Sequence, residues 1–283
     1  MPEKTIFLCA ICNVSSGSCS EDCSFCTQSA KYKADIDRYK YKSIDDIVGE
    51  AIQARQNQAV GFCLVTSGKG MTETKLEFVC QAATEIKKKV PELNLIACNG
   101  TATLDELKKL KEAGISSYNH NLESSRKYYS QICTTHEWDE RYQTCLNAKE
   151  AGLDLCSGGI FGMGESLQDR LSLIVALKEL SPSSVAINFF HPNDALPIKE
   201  NDLDTDGALE LISYIKKELP ESMIMVAGGR ERMFGDKQAA IFDAGANSIV
   251  IGNYLTTKGD APDKDILLLK SLGLQIAQNC HDT

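Results

Sequence analysis

The sequence predicts a closed (β/α)8 barrel of parallel strands, on three observations. Short apolar segments of strand length alternate, eight times over, with longer segments that read as helices. The strand segments are apolar along most of their length, which marks strands buried on both faces in a sheet covered by helices. The 283 residues of the chain are close to the roughly 250 that one such barrel needs. The competing architecture, an open doubly wound sheet, usually carries a Gly-rich phosphate turn after its first strand. A cysteine-rich loop stands in that place here.

Taken in order, Ile6–Val14 is predicted as the first strand, followed by the cysteine loop. Ser43-Ile44-Asp45-Asp46 caps a helix to about Gln56, because Ser and Asp accept from free first-turn amides. Gly61–Thr66 is the second strand; the helix over Thr72–Lys89 is ended by Pro91. Leu93–Cys98 and Thr103–Ala113 form the third unit, its helix stopped by Gly114. Ser116–Asn121 and Trp138–Ala151 form the fourth, Leu153–Ser157 and Ser166–Leu180 the fifth, and Ser184–Phe190 and Thr205–Leu219 the sixth. Met223–Ala227 and a helix over Lys237–Ala244 form the seventh, and Asn247–Ile251 is strand eight. The tail, about 263–280, is read as one helix packed on the barrel. No low-complexity linker interrupts the series, so residues 1–283 read as one domain.

Composition narrows the function. A net charge of −9 argues against nucleic acid or an anionic membrane as the main partner. The first apolar run, Ile6–Ile11, is too short for a signal-peptide core or a membrane span. Twelve cysteines in a long chain without a secretory signal point to a reduced, cytoplasmic enzyme whose thiols are mostly metal ligands.

The most informative stretch is Gly17-Ser18-Cys19-Ser20-Glu21-Asp22-Cys23-Ser24-Phe25-Cys26, with the spacing C-x3-C-x2-C. Three thiolates suit three irons of a cubane, leaving the fourth open to a small molecule. The loop resembles the motif of the radical S-adenosylmethionine (SAM) superfamily, with the aromatic Phe25 before the third cysteine. A zinc loop is the alternative, although zinc usually completes a tetrahedron with a fourth protein ligand. Cys63, Cys98 and Cys156 lie on or at the ends of strands two, three and five. If all three point inward they converge in a shared metal site; singly, each reads as a small buried hydrophobe. Cys9 and Cys12 have C-x2-C spacing but fall within a strand, a poor shape for a clamp. Gly158-Gly159 and Gly228-Gly229-Arg230 are read as turns that let a ligand approach the backbone. From its chemistry alone Arg230 reads as a phosphate or carboxylate binder.

Four further runs carry a closer resemblance. Tyr118-Asn119-His120-Asn121-Leu122-Glu123-Ser124, Cys156-Ser157-Gly158-Gly159-Ile160, Ala227-Gly228-Gly229-Arg230-Glu231 and Ala244–Ile249 are similar, in order and over nearly the whole chain, to signatures of the biotin synthase family. The resemblance implies a 4Fe-4S cluster on Cys19, Cys23 and Cys26, and a 2Fe-2S cluster on Cys63, Cys98, Cys156 and Arg230. It implies SAM contacts from Phe25, Asn121, Glu123, Arg141 and Ile160, and substrate contacts from Asn121 and Asn188. The run Phe189-Phe190-His191-Pro192 departs from the commonest loop of the family, and His191 is read as a loop residue in preference to a substrate contact.

The implied reaction is sulfur insertion into dethiobiotin to give biotin. SAM is cleaved at the reduced 4Fe-4S cluster, a deoxyadenosyl radical removes hydrogen from substrate carbon, and the 2Fe-2S cluster supplies sulfur. No side chain is needed as acid or base. A flavodoxin or ferredoxin electron donor and a homodimer are implied as well. The alternatives are another radical SAM barrel enzyme, a mutase or maturase, which would not need Cys63, Cys98 and Cys156 together, and a non-catalytic metal-binding scaffold.

Overall fold

The computed structural model describes residues 4–199 and 202–280; the ends of the predicted 1–283 domain lie outside these. Eight parallel strands alternate with helices. They are β1 (Thr5–Ser15), α1 (Ile44–Gln56), β2 (Gly61–Thr66), α2 (Glu73–Lys89), β3 (Asn94–Cys98), α3 (Leu104–Glu112), β4 (Ser117–Asn119), α4 (Arg126–Ile132), α5 (Trp138–Glu150), β5 (Asp154–Phe161), α6 (Leu167–Leu180), β6 (Ser184–Phe189), α7 (Thr205–Glu218), β7 (Met223–Val226), α8 (Arg230–Phe234), α9 (Ala240–Asp243) and β8 (Ser248–Val250), followed by α10 (Pro262–Ser271) and β9 (Gln275–Ile276). Strands β1 to β8 pair in sequence, and β8 pairs with β1, which closes the barrel. This is the predicted (β/α)8 architecture.

Side-chain alternation divides each strand between two cores. Leu8, Phe62, Leu64, Leu95 and Ala97 face the helices in one continuous apolar layer. Cys9, Cys63, Val65, Ile96, Met225 and Val250 pack inside the barrel. Because a strand sends successive residues to opposite faces, Cys9 and Cys12 part company: Cys12 lies in the outer layer, fully buried.

Local chemistry sets the helix starts. Ser43, Thr72, Thr103, Ser125, Ser166 and Asp204 each accept a bond from a first-turn amide, a cap contributing about 1 kcal/mol. The elements that differ from expectation have similar local causes. Ser125 caps α4, a seven-residue helix that the apolar pattern does not reveal. Strand β5 runs four residues beyond Ser157, because Gly158 and Gly159 continue the ladder with β6 rather than turning. A Cβ at 158 would lie 1.9 Å from the Ala186 carbonyl oxygen, so only glycine permits that approach. The predicted 237–244 helix is shortened to α9, after a 3-10 turn at Gly235–Lys237 and a separate short helix, α8, that the sequence pattern does not place. The tail helix stops at Ser271, with Gly273 in the left-handed region, and Gln275–Ile276 then forms β9, paired parallel to β1.

Two interior cavities of about 340 Å³ each lie one above the other along the barrel. Both touch Cys9, Ile96, Cys156 and Met225, so these four side chains form a partition across the barrel. The upper cavity opens among the loops at the C-terminal ends of the strands, the usual face for chemistry in this fold. The lower is bounded by Phe7, Met223 and Cys280.

One tie holds α10 to the barrel. The Arg230 guanidinium is fully buried and forks onto Asp265, with Nη1–Oδ1 and Nη2–Oδ2 both 2.9 Å. It also donates to Gln238 and, at 3.3 Å, to the Val250 carbonyl. Removing one partner of such a pair strands a buried charge. Asp265→Ala is therefore expected to lower the unfolding free energy by about 3–5 kcal/mol, read from urea denaturation. A loss below about 1 kcal/mol would place the pair with exposed ones.

Candidate active site

The loop after β1 carries Cys19, Cys23 and Cys26 at the C-terminal end of the barrel. It is held from several sides. Cys19 bonds through its amide to Gln28 O (3.2 Å), and its carbonyl accepts from Ala30 N (2.7 Å). Cys26 N reaches back to Cys23 O at 3.0 Å, a tight turn that keeps these two thiols on one loop. The Asp22 carboxylate takes Thr134 N at 2.9 Å and Thr135 N at 3.2 Å, and Ser24 N bonds Ile132 O at 2.8 Å. Burial raises Asp22, but the bonds from Thr134 and Thr135 outweigh it and hold the carboxyl well below the usual range. Burial pushes the Cys26 thiol up to about 11. A buried thiol of this kind is reactive only once a metal displaces its proton.

The upper cavity gathers most of the predicted residues. Phe25, Cys26, Asn121, Glu123 and Ile160 line it toward the mouth; Cys63, Cys98, Cys156 and Asn188 line its wall. The neighbouring Cys98 thiol, together with burial, raises Cys63. Burial pushes Cys156 up to about 12. A larger cleft of about 790 Å³, outside the barrel between α1 and the loop after β8, has no cysteine in its lining and does not suit soft-metal chemistry.

Behind the cavity wall, Arg141 on α5 orders the segment after β4. Its Nε donates to Asn121 O at 2.6 Å and its Nη2 to Glu123 Oε1 at 3.1 Å. Glu123 has a left-handed φ of 68° and joins β5 by a bridge to Gly159. Burial raises its carboxyl against the pull of Arg141. Glu123 Oε2 and Asn121 Oδ1 are buried and have no hydrogen-bond partner among the described residues. Such orphaned acceptors call for donors from a ligand, and vicinal hydroxyls supply two. Phe25 and Ile160, in one apolar cluster with Met163 and Phe190, supply the flat walls a purine ring needs. The cavity therefore fits a nucleoside near its mouth and soft-metal ligation on its wall.

Other expected residues are placed differently. Cys19 and Cys23 flank the mouth on the loop and do not line the cavity. Asn188 does, but its amide already bridges Gly159 O (3.2 Å) and Gly228 N (3.0 Å). That leaves it one N–H and one lone pair for a ligand. His191 lies at the rim. Arg230 is not brought to the thiols: its fork is closed on Asp265, and it does not line the cavity. Asp265, on α10, is an acidic partner that the sequence does not single out.

A contact that sequence reasoning missed lies beneath the loop. Cys133 Sγ is 3.7 Å from Cys23 Sγ and 3.3 Å from His136 Nδ1, which is in turn 2.8 Å from Glu21 Oε2. The bond from Cys23 draws the Cys133 thiol down to about 4. The signal for it, a C-x2-H spacing after a short helix, is weak.

Comparisons with known proteins agree with this geometry. Residues 13–177 match the Radical SAM superfamily, and residues 186–275 match the Biotin and Thiamin Synthesis associated domain. Strands β2–β5 and the end of β1 fall in the first segment and β6–β8 largely in the second, so one barrel spans both matches. The chain is 59% identical over 277 residues to the biotin synthase of Nitratiruptor sp., covering 98% of this chain and 99% of that one. It is 55% identical over 281 residues to that of Aliarcobacter butzleri, covering 99% and 100%. Among solved structures, the FeFe-hydrogenase maturase of Carboxydothermus hydrogenoformans shares the fold with a TM-score of 0.85 at 18% identity, over 96% of this chain and 68% of that chain. A methylornithine synthase does so with a TM-score of 0.82 at 17% identity, over 96% and 84%. With this identity along almost its full length, and with both domain matches on a single barrel, the chain belongs to the biotin synthase family of the radical SAM superfamily.

Proposed function

We propose that the chain converts dethiobiotin to biotin by radical insertion of sulfur, with a 4Fe-4S cluster on Cys19, Cys23 and Cys26 and a 2Fe-2S cluster on the thiols of Cys63, Cys98 and Cys156. What supports the reading most is one cavity with two chemistries. Cys26, Phe25 and the orphaned acceptors of Asn121 and Glu123 stand at its mouth, and the thiols of Cys63, Cys98 and Cys156 stand on its wall. When bound, SAM and the two clusters supply radical C–H activation and the sulfur atom.

The chain's own residues bind and orient. Glu123 Oε2 and Asn121 Oδ1 accept from the ribose hydroxyls, while Arg141 holds both residues in place from behind. Phe25 and Ile160 flank the adenine. Asn188 offers its remaining N–H and lone pair to the ureido ring, an amide facing an amide-like group. The apolar wall excludes water, which protects a carbon radical from quenching. No side chain is required to move a proton. The electron comes from a donor of the flavodoxin or ferredoxin class, the enzyme works in the cytoplasm, and two chains pair as a homodimer. No described helix is long and apolar enough to cross a membrane.

The test is an anaerobic assay with SAM, reductant and dethiobiotin, scored for biotin. Biotin and 5′-deoxyadenosine are the expected products; SAM cleavage without biotin, from protein carrying both clusters, would move the chain to another radical SAM reaction. A visible spectrum separates the scaffold alternative: zinc is colourless, whereas two cluster types give a brown protein with about six sulfides per chain.

A further inference from the structure

Cys133 and His136 belong to no expected site, yet both face the cysteine loop. They sit on the connection between α4 and α5. That connection is laced to the loop by the bonds from Thr134 N and Thr135 N to Asp22 and from Ser24 N to Ile132 O. The two segments therefore hold two thiols, an imidazole and a carboxylate side by side. Cys133 Sγ, Cys23 Sγ and a ring nitrogen of His136 lie within 4.8 Å of one another. Cys133 and His136 are buried, and Cys23 is half-buried.

The spacings are those of a coordination shell. With bonds of about 2.3 Å to sulfur and about 2.05 Å to nitrogen, a tetrahedral zinc sets two sulfurs about 3.8 Å apart and a sulfur and a nitrogen about 3.6 Å apart. Cys23 Sγ and Cys133 Sγ are 3.7 Å apart, and Cys133 Sγ is 3.3 Å from His136 Nδ1. Nδ1 is the ring atom turned to the sulfur, since Nε2 is farther from it, at 3.8 Å, and meets the Tyr129 hydroxyl at 2.8 Å. With Nδ1 on a metal, Nε2 carries the ring proton and donates it to that hydroxyl, the outer contact that fixes a ligand histidine. Glu21 Oε2, 2.8 Å from Nδ1, is the oxygen nearest the fourth place. Asp22 Oδ1 is 3.5 Å from Cys133 Sγ, but it is taken by Thr134 N, Thr135 N and Thr135 Oγ1.

We propose that Cys23, Cys133 and His136, with Glu21 as the oxygen donor, bind one zinc ion in a chain whose loop does not hold its cluster. Two sulfurs, a nitrogen and an oxygen form a donor set that zinc accepts, and zinc binds such a set more tightly than iron(II) does. The two thiols and Nδ1 give up their protons to solvent on binding. Cys23 cannot serve this ion and a cubane at once, so zinc here keeps the loop from receiving its cluster. That competition rests on the reading of Cys23 as a cluster ligand; the site itself rests on the donor geometry alone.

The test starts from the full chain, stripped of iron by a chelator under reductant. Loaded with one equivalent of zinc, it should show two sulfurs and two lighter neighbours around the metal by X-ray absorption, one of them an imidazole. Three or more sulfurs would put the ion on the other cysteines and overturn the assignment. Cobalt(II) then reports affinity through the absorption of its tetrahedral thiolate complex. Cys133→Ser and His136→Gln should each weaken binding by more than about 100-fold, beyond the range for a group that only supports a ligand. Parent-like binding in either variant overturns the site. Anaerobic reconstitution of the zinc-loaded parent with iron and sulfide should release the zinc as the 4Fe-4S signal appears, because both need Cys23. Zinc kept in its two-sulfur shell beside a full 4Fe-4S signal overturns instead the reading of Cys23 as a cluster ligand.

Discussion

Cys19→Ala, Cys23→Ala and Cys26→Ala should each bring reductive cleavage of SAM to background, and biotin formation with it. Three loop thiols are the minimum for a cubane that keeps one iron open, and the loop has no spare cysteine within its own turn. Cys133 lies 3.7 Å from Cys23, which makes the Cys23 variant the informative one. If Cys133 can take over as ligand, Cys23→Ala will keep measurable 5′-deoxyadenosine production while the other two variants do not. The measurement is 5′-deoxyadenosine released per chain under dithionite. Parent-level cleavage in the Cys19 or Cys26 variant would remove the loop from the chemistry.

Cys156→Ala should separate the two halves of the reaction. Cys156 sits in the partition, deep below the loop, so its loss leaves the mouth intact. Biotin formation should fall by more than the 10–100-fold typical of losing a group that merely supports a metal ligand, because on the proposed reading a ligand itself is removed. SAM cleavage should stay within about 3-fold of the parent, a margin of roughly 0.6 kcal/mol in barrier. Paired assays of 5′-deoxyadenosine and biotin on one preparation read both quantities. Equal loss of the two would mean that Cys156 acts on the fold or on the mouth.

The fold was legible because the strands are short, apolar and evenly spaced, and because a parallel strand buried on both faces leaves a strong compositional trace. The loop thiols were legible for another reason: their spacing is a chemical requirement carried by ten consecutive residues. What the sequence hid is long-range. The partner of Arg230 is Asp265, 35 residues away on a helix. Cys133 meets Cys23 across 110 residues. Cys9 sits in a strand whose C-x2-C spacing points away from metal binding, and only the barrel register shows that one of the two thiols faces inward. Gly158-Gly159 read as a turn because glycine marks both turns and close backbone contacts, and the neighbouring strand decides between them.

The partition has a consequence for traffic. Cys9, Ile96, Cys156 and Met225 are at once the floor of the upper cavity and the ceiling of the lower one, so the barrel is not a corridor. Whatever enters by the mouth must leave by the mouth, in last-in, first-out order. A small molecule seated against the thiols must be admitted before a nucleoside settles under Phe25 and Ile160. It stays captive until that nucleoside has gone, so the nucleoside can be exchanged while the molecule beneath it is retained.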